Sequence, residues 1–268
     1  VTERPKIGLA LGSGAARGLA HFGVLKVLQK EGIPIDYVAG SSMGSLIGVL
    51  FANGLDLEMC EKLAIRLKRK HWLDLTVPKR GFIIGDKVKE LVRLLTHQKH
   101  IEDLSIPTAI VATDLVKGER VIFESGPIDE AVRASIAIPG IFEPVFLDDR
   151  ILVDGGVIDR VPIHVVREMG ADIVIAVDVI AQYNQVQVES IFDVITYSLH
   201  IMEKEILSSQ ILTADVLLCP EMSDISPTAF HRVEESIQRG EEEARKHIHK
   251  IKELIENGCG KESRNAVK

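Results

Sequence analysis

The chain has 268 residues, 32 basic and 39 acidic side chains, a formal charge of −7 and a pI near 5.8. That acidic balance argues against a dedicated nucleic-acid binder, and the length suits one large α/β domain with a sizeable core. Cys60, Cys219 and Cys259 are odd in number and far apart, which excludes a disulfide framework and suggests a reducing compartment.

No apolar run reaches the length of a membrane span, and Val1 to Lys6 lacks the apolar stretch of a signal peptide. The expectation is a cytoplasmic protein whose membrane contact, where there is any, is peripheral. Ile7-Gly8-Leu9-Ala10-Leu11 then predicts a buried strand that enters Gly12-Ser13-Gly14-Ala15-Ala16-Arg17-Gly18. A helix is expected over Leu19 to Lys30, with Gly32 as its C-terminal stop. Strand, glycine-rich turn and helix converge backbone N–H groups on an anion. A dinucleotide turn is one reading. Arg17 stands where its last glycine would be, and Asp36 begins the next strand instead of an acid ending it. An oxyanion hole, with amides around Gly14 and Ala15 aimed at a developing alkoxide, is the other. His21, among apolar neighbours on the helix, reads as structural.

Ile33 to Ala39 forms an extended lead-in to Gly40-Ser41-Ser42-Met43-Gly44, and a helix is expected over Ser45 to Ala52. Glycines two before and two after Ser42 suit a strand–turn–helix elbow, which holds a serine in strained geometry with its hydroxyl exposed. A helix N-terminus at that point favours negative charge. The bland alternative is a glycine-rich turn with an idle serine. Gly44, Gly48 and Ala52 form a small-residue stripe that predicts close helix packing.

A helix is expected over Asp56 to Leu75, capped by Asp56. Its basic face, Lys62, Arg66, Arg69 and Lys70, is followed by Trp72. That segment reads either as a solvated face or as a patch for an anionic membrane surface. With a further helix at Asp86 to Leu95, residues 55–101 are expected to form a mobile cover beside the site.

Thr108 to Thr113 predicts a strand, Lys117-Gly118 a hairpin turn, and Ile128 to Ser135 a short helix. The strand Ile151-Leu152-Val153-Asp154 ends in an aspartate left unobstructed by Gly155 and Gly156. In a mostly parallel sheet, an acid at a strand's C-terminal end lies on the ligand-binding edge. An ordinary Asp-Gly turn is the alternative. Further elements are a strand at Asp172 to Val179, a helix at Ile191 to Ser209, a strand at Ala214 to Cys219, and a long amphipathic helix from Phe230 closed by Gly258. His247 and His249 are two apart and face different ways, so they read as solvated. Residues 1–260 are expected to form one domain and 261–268 a disordered tail.

Taken in order, Gly12-Ser13-Gly14-Ala15-Ala16-Arg17-Gly18, Gly40-Ser41-Ser42-Met43-Gly44 and Asp154-Gly155-Gly156 resemble the patatin-like phospholipases. The likeness is to their short bacterial branch, related to the esterase domain of neuropathy target esterase. Gly18 to Leu25, Ser135 to Phe142 and Val161-Pro162 extend it. The resemblance implies a three-layer α/β/α fold with a mostly parallel sheet, and hydrolysis of a lipid or lysophospholipid acyl ester without metal or cofactor. It implies that Ser42 is the nucleophile, Asp154 its partner in a Ser–Asp dyad, and Gly12, Gly14, Ala15 and Arg17 the oxyanion loop. A non-catalytic lipid-sensing module on the same fold is the alternative. Two positions depart from the family pattern. Ala15 replaces a glycine, which the hole tolerates if φ there is negative. Arg160 stands where asparagine is common, with a consequence for packing or for access.

Overall fold

The computed structural model describes residues 4–77, 79–180, 188–208 and 213–265. Its sheet contains β1 (Ile7–Leu11), β2 (Tyr37–Ser41), β3 (Thr108–Asp114), β4 (Glu119–Phe123), β5 (Val145–Leu147), β6 (Arg150–Asp154), β7 (Ile173–Val177) and β8 (Val216–Leu218). The strand order is β5-β6-β3-β2-β1-β7-β8, with β4 also pairing β3. Strands β8, β7, β1, β2 and β3 are parallel, while β4 and β6 run antiparallel to β3.

The two faces differ in side-chain size. Leu9, Leu11, Val38, Ile175 and Val177 point to one face and join the largest apolar cluster. It is covered by α1 (Ala20–Lys30), α2 (Met43–Ala52) and α9 (Val233–Asn265). Their strand neighbours Ala10, Ala39, Ala109 and Ala176 point the other way, where α7 (Ile163–Glu168) packs through Val165 and Val166. This is the period-two alternation of a sheet covered on both faces, giving three layers. Between them in the chain, α3 (Leu57–Arg66) adds Leu57 and Cys60 to the largest cluster, while α4 (Arg69–Trp72), α5 (Asp86–Leu95) and α6 (Ile128–Ser135) build a subsidiary core around Val49, Val88, Val92 and Ile128. Helix α8 (Ile191–Ser208) follows β7. Among the described residues, no helix is long and apolar enough to cross a membrane.

Register explains how two distant residues meet. β4 and β6 both pair with Ala112 to Asp114, so they occupy opposite edges of β3. β2 shares Ile110 and Val111 with β4, so it lies on the same edge as β6. β2 and β6 therefore run toward each other along one edge of β3. Ser41 ends opposite Val111 and Asp154 ends opposite Ala112. Asp154 was expected on the ligand edge as the end of a strand in a mostly parallel sheet. It is there because an antiparallel strand meets a parallel one end to end.

Other expectations need correction. The helix placed over Asp56 to Leu75 breaks at Leu67, whose backbone is extended, so Leu67 and Trp72 both turn inward. α2 starts at Met43, two residues early, because the elbow leaves no linker. β5 was missed, being only three residues long and partly buried. α9 does not stop at Gly258 but continues to Asn265, into the stretch read as a tail; residues 266–268 lie outside the described residues. Gly258 is a contact point instead, since a Cβ there would stand 2.8 Å from Pro5 Cγ. The strand Asp172 to Val179, the helix Ile191 to Ser209 and the strand Ala214 to Cys219 each form within a few residues of those bounds.

α1 and α9 touch backbone to backbone. A Cβ on Gly23 would lie 1.9 Å from Ile237 O, and one on Gly240 would lie 2.0 Å from Ala20 O. Gly240→Ala must push the helices apart, an overpacking cost of about 1–3 kcal/mol. Thermal denaturation should show a drop of roughly 2–9 °C for a chain of this size. An unchanged melting temperature would show that the helices separate freely.

Candidate active site

The elbow is built from backbone that cannot carry side chains. A Cβ on Gly44 would lie 2.2 Å from Leu11 O, and one on Gly40 would lie 2.5 Å from Ser45 N. β2 therefore turns into α2 within one residue, Ser42, which adopts φ 52 and ψ −124. Such strain costs about 1–3 kcal/mol and persists only where the surroundings enforce it. The Ser42 N–H donates to Ser135 Oγ at 2.9 Å, and Ser135 in turn donates to Val111 O at 2.6 Å. Ser45 Oγ donates to Ser42 O at 2.7 Å, and Ser41 Oγ donates to Asp159 O at 2.6 Å.

The Ser42 hydroxyl donates to Asp154 Oδ2 at 2.6 Å. Asp154 Oδ1 accepts from Gly156 N–H at 2.8 Å, and its carbonyl accepts from Thr113 Oγ1 at 2.9 Å. Both side chains are only 4% exposed. Burial pushes the Asp154 carboxyl up to about 7, and the hydrogen bonds from Ser42 and Gly156 only partly offset it. A carboxylate this basic can take a proton from a hydroxyl far better than a solvated one.

The glycine-rich loop beside them narrows the expected oxyanion set. Gly12 N–H donates to Val177 O at 3.0 Å and Arg17 N–H to Gly14 O at 3.0 Å, so those two amides are occupied. Among the described residues, no backbone hydrogen bond takes the N–H of Gly14 or Ala15, and both residues line a cavity with Ser42. Ala15 does not keep a negative φ. It sits at φ 47, a left-handed conformation that costs an alanine about 1 kcal/mol. Arg17 is buried and its Nε donates to Ile225 O at 2.6 Å, tying the loop to the chain before α9.

Arg160 affects packing. It is buried, pairs with Asp178, and its carbonyl accepts from Ser13 N–H at 2.9 Å. His21 is buried too. Its Nε2 donates to Gly12 O at 2.7 Å, and burial pushes its pKa down to about 4. It braces the loop as a neutral ring. His247 bonds to Glu243 O of its own helix, and His249 is exposed.

Two cavities meet at Ser42. The larger, about 510 Å3, is almost wholly apolar and is bounded by Met43, Leu46, Leu63, Trp72, Phe142 and Phe230 among others. The segment expected as a cover, residues 55–101, supplies α3, α4 and α5 to its wall. Trp72 belongs to that wall, with its ring 4.8 Å from that of Phe230. The smaller, about 10 Å3, is bounded by Ser42, Asp154, Ser13, Gly14 and Ala15 below and by Thr196, His200 and Glu203 of α8 above. Those α8 residues were not anticipated. Their spacing of four and three residues, which puts them on one helix face, was the available signal.

Residues 9–167 match the family model for patatin-like phospholipases. An NTE family protein of Mycobacterium tuberculosis is 41% identical over 183 residues, which is 66% of this chain and 49% of that protein. Human patatin-like phospholipase domain-containing protein 6 is 37% identical over 191 residues, 66% of this chain and 13% of its own. A lysophospholipase of Coccidioides immitis is 35% identical over 179 residues, 65% of this chain and 11% of its own. This chain thus spans half or less of the curated relatives it matches. VipD from Legionella pneumophila superposes with a TM-score of 0.68 over 92% of this chain and 67% of its own, at 13% identity, a likeness of fold. The family model spans more than half of the sequence, and the chain belongs to the patatin-like phospholipase family.

Proposed function

We propose that this chain is a serine lipid acyl hydrolase, of phospholipase or lysophospholipase type, with Ser42 as nucleophile and Asp154 as its base. The observation that carries the reading is the 2.6 Å Ser42–Asp154 hydrogen bond at the edge of an apolar cavity of about 510 Å3. The cavity takes an acyl chain and leaves the ester carbonyl at Ser42. Asp154 accepts the hydroxyl proton as Oγ attacks, then passes it to the leaving alcohol. Gly14 and Ala15 N–H groups face the oxyanion. The acyl-enzyme is hydrolysed by water in the second half of the cycle. The Coccidioides immitis relative is named a lysophospholipase, which supports the substrate class.

Such an enzyme meets its substrate at an interface. Lys62, Arg66 and Lys70 are exposed on the segment that walls the apolar cavity, beside exposed Met59, Leu75 and Val77. We place peripheral contact with an anionic membrane there, each basic side chain contributing about 1 kcal/mol near the surface. Trp72 is turned to the cavity and takes no part as an outer anchor.

Fluorophosphonate should label wild-type protein at Ser42, and Ser42→Ala should be folded, unlabelled and inactive on p-nitrophenyl esters. Labelling elsewhere would remove the assignment. Asp154 must be ionised to act. Turnover should therefore fall about tenfold per pH unit below about 7, the value to which burial raises this carboxyl. Asp154→Asn should lose about 1,000- to 10,000-fold in turnover at pH 8. A rate flat from pH 5 to 8 would rule out this base. Finally, Lys62→Glu, Arg66→Glu and Lys70→Glu together should weaken co-sedimentation with anionic vesicles at low salt while sparing a short soluble ester. Equal binding by both proteins would leave that face as plain surface.

A further inference from the structure

Helix α8 buries four polar side chains and exposes four large apolar ones. Asp193, Thr196, His200 and Glu203 are buried, whereas Ile191, Val194, Ile201 and Met202 are more than half exposed. A helix that packs for stability does the reverse. Thr196, His200 and Glu203 fall at i, i+4 and i+7 and look down on the small cavity beside Ser42 and Asp154.

Three oxygens converge over Gly156. A Cβ there would stand 2.8 Å from Ser13 Oγ, 3.0 Å from Glu203 Oε1 and 3.1 Å from Asp154 Oδ1. Ser13 Oγ also donates to Glu203 Oε2, at 3.4 Å. Thr196 Oγ1 is buried and, among the described residues, has no hydrogen-bond partner. The cavity between these groups measures about 10 Å3, the room that one water-sized sphere occupies. Ile138, Pro139, Val157 and Leu199 line it as well, and with several polar side chains on its wall it has room for one water and no larger molecule.

We propose that Glu203 and Thr196 position the water that hydrolyses the acyl-enzyme on Ser42. This rests on the serine-hydrolase reading above. Ser42 stands between the two cavities, so the acyl chain lies in the apolar one and water reaches the ester carbon from the polar one. Thr196 borders both and marks the boundary. The water oxygen attacks the acyl carbon, and one of its protons passes to Asp154. The tetrahedral intermediate then collapses, the Oγ–C bond breaks, and Asp154 returns that proton to Ser42 Oγ. The products are the free fatty acid and the serine hydroxyl, so atoms and charge balance with Glu203 unchanged. Glu203 holds the water's other hydrogen on a carboxyl oxygen and keeps a lone pair pointed at the ester. Burial, then the neighbouring Asp154, push Glu203 up to about 8, with Arg160 opposing. Close to neutral pH it is therefore largely neutral, so it accepts a hydrogen bond without competing with Asp154 for the proton. His200 is held neutral as well, pushed down to about 3 by burial and then by Arg17 and Arg160.

The test is rapid-mixing kinetics with a p-nitrophenyl ester, alongside intact mass spectrometry. Glu203→Leu removes the acceptor at a similar size, and Thr196→Val is the second, isosteric variant. Both should form the acyl-enzyme as fast as wild type, shown by the p-nitrophenol burst and by fluorophosphonate labelling of Ser42. Both should then release it about 10- to 100-fold more slowly, so that Ser42 accumulates as the acyl ester. Added hydroxylamine, which is a strong nucleophile, should restore release. A damaged fold would depress the burst and the labelling as well. Burst and release slowed together, or release at the wild-type rate in both variants, would overturn the proposal. A wild type with no acyl-Ser42 under any condition would overturn the hydrolase reading beneath it.

Discussion

The site depends on two strands arriving head-on at the same edge of β3. β2 comes in parallel and stops at Ser41 opposite Val111, and β6 comes in antiparallel and stops at Asp154 opposite Ala112. The collision leaves neither strand room to continue. β2 must turn at once into α2, which forces Ser42 to φ 52. β6 must also turn, and Gly155 allows it, because a Cβ there would lie 2.2 Å from Val111 O. The hydroxyl and the carboxylate are then a hydrogen bond apart without any loop having to bring them together. Sites held by rigid elements keep their geometry better than sites held by loops.

That placement also supplies the chemistry. Asp154 has no cation bonded to it and its partners are a hydroxyl and one N–H, so desolvation dominates its proton affinity. A salt bridge would have made it a weaker base. The buried cation Arg160 pairs with Asp178 instead, and its carbonyl braces the glycine-rich loop through Ser13 N–H. His21 and His200 are both buried and held neutral, which fits a dyad in which imidazole has no proton-transfer role.

Much of this was legible in residue types. The apolar runs gave β1, β3 and β7, and the glycines around Ser42 gave the elbow, because only backbone fits there. What was illegible shares one cause, since contacts made far away in the chain decided it. Nothing near Asp154 says that β6 runs antiparallel. Nothing near Gly258 says that Pro5 lies against it, so a glycine read as a stop became an interior contact. Leu67 looked like one more apolar position at helical spacing, but the helix ends there with its backbone extended and its side chain on the cavity wall. Ala15 is the sharpest case. An alanine disfavours a positive φ, yet Ala15 sits at φ 47 between β1 and α1.

Helix α8 extends that lesson from conformation to polarity. Burying Asp193, Thr196, His200 and Glu203 costs desolvation that a row of leucines would avoid, and exposing Ile191, Val194, Ile201 and Met202 gains nothing from the core. Both choices run against stability, and they occur together on the one helix that closes over Ser42. Local rules fail in natural proteins mainly where function overrides them. On the proposed reading, an apolar chain and a water molecule reach the same carbon without one displacing the other. A wall that is apolar along α2, α3 and α5 and polar along the inner stripe of α8 separates the two, and Ser42 sits on the seam.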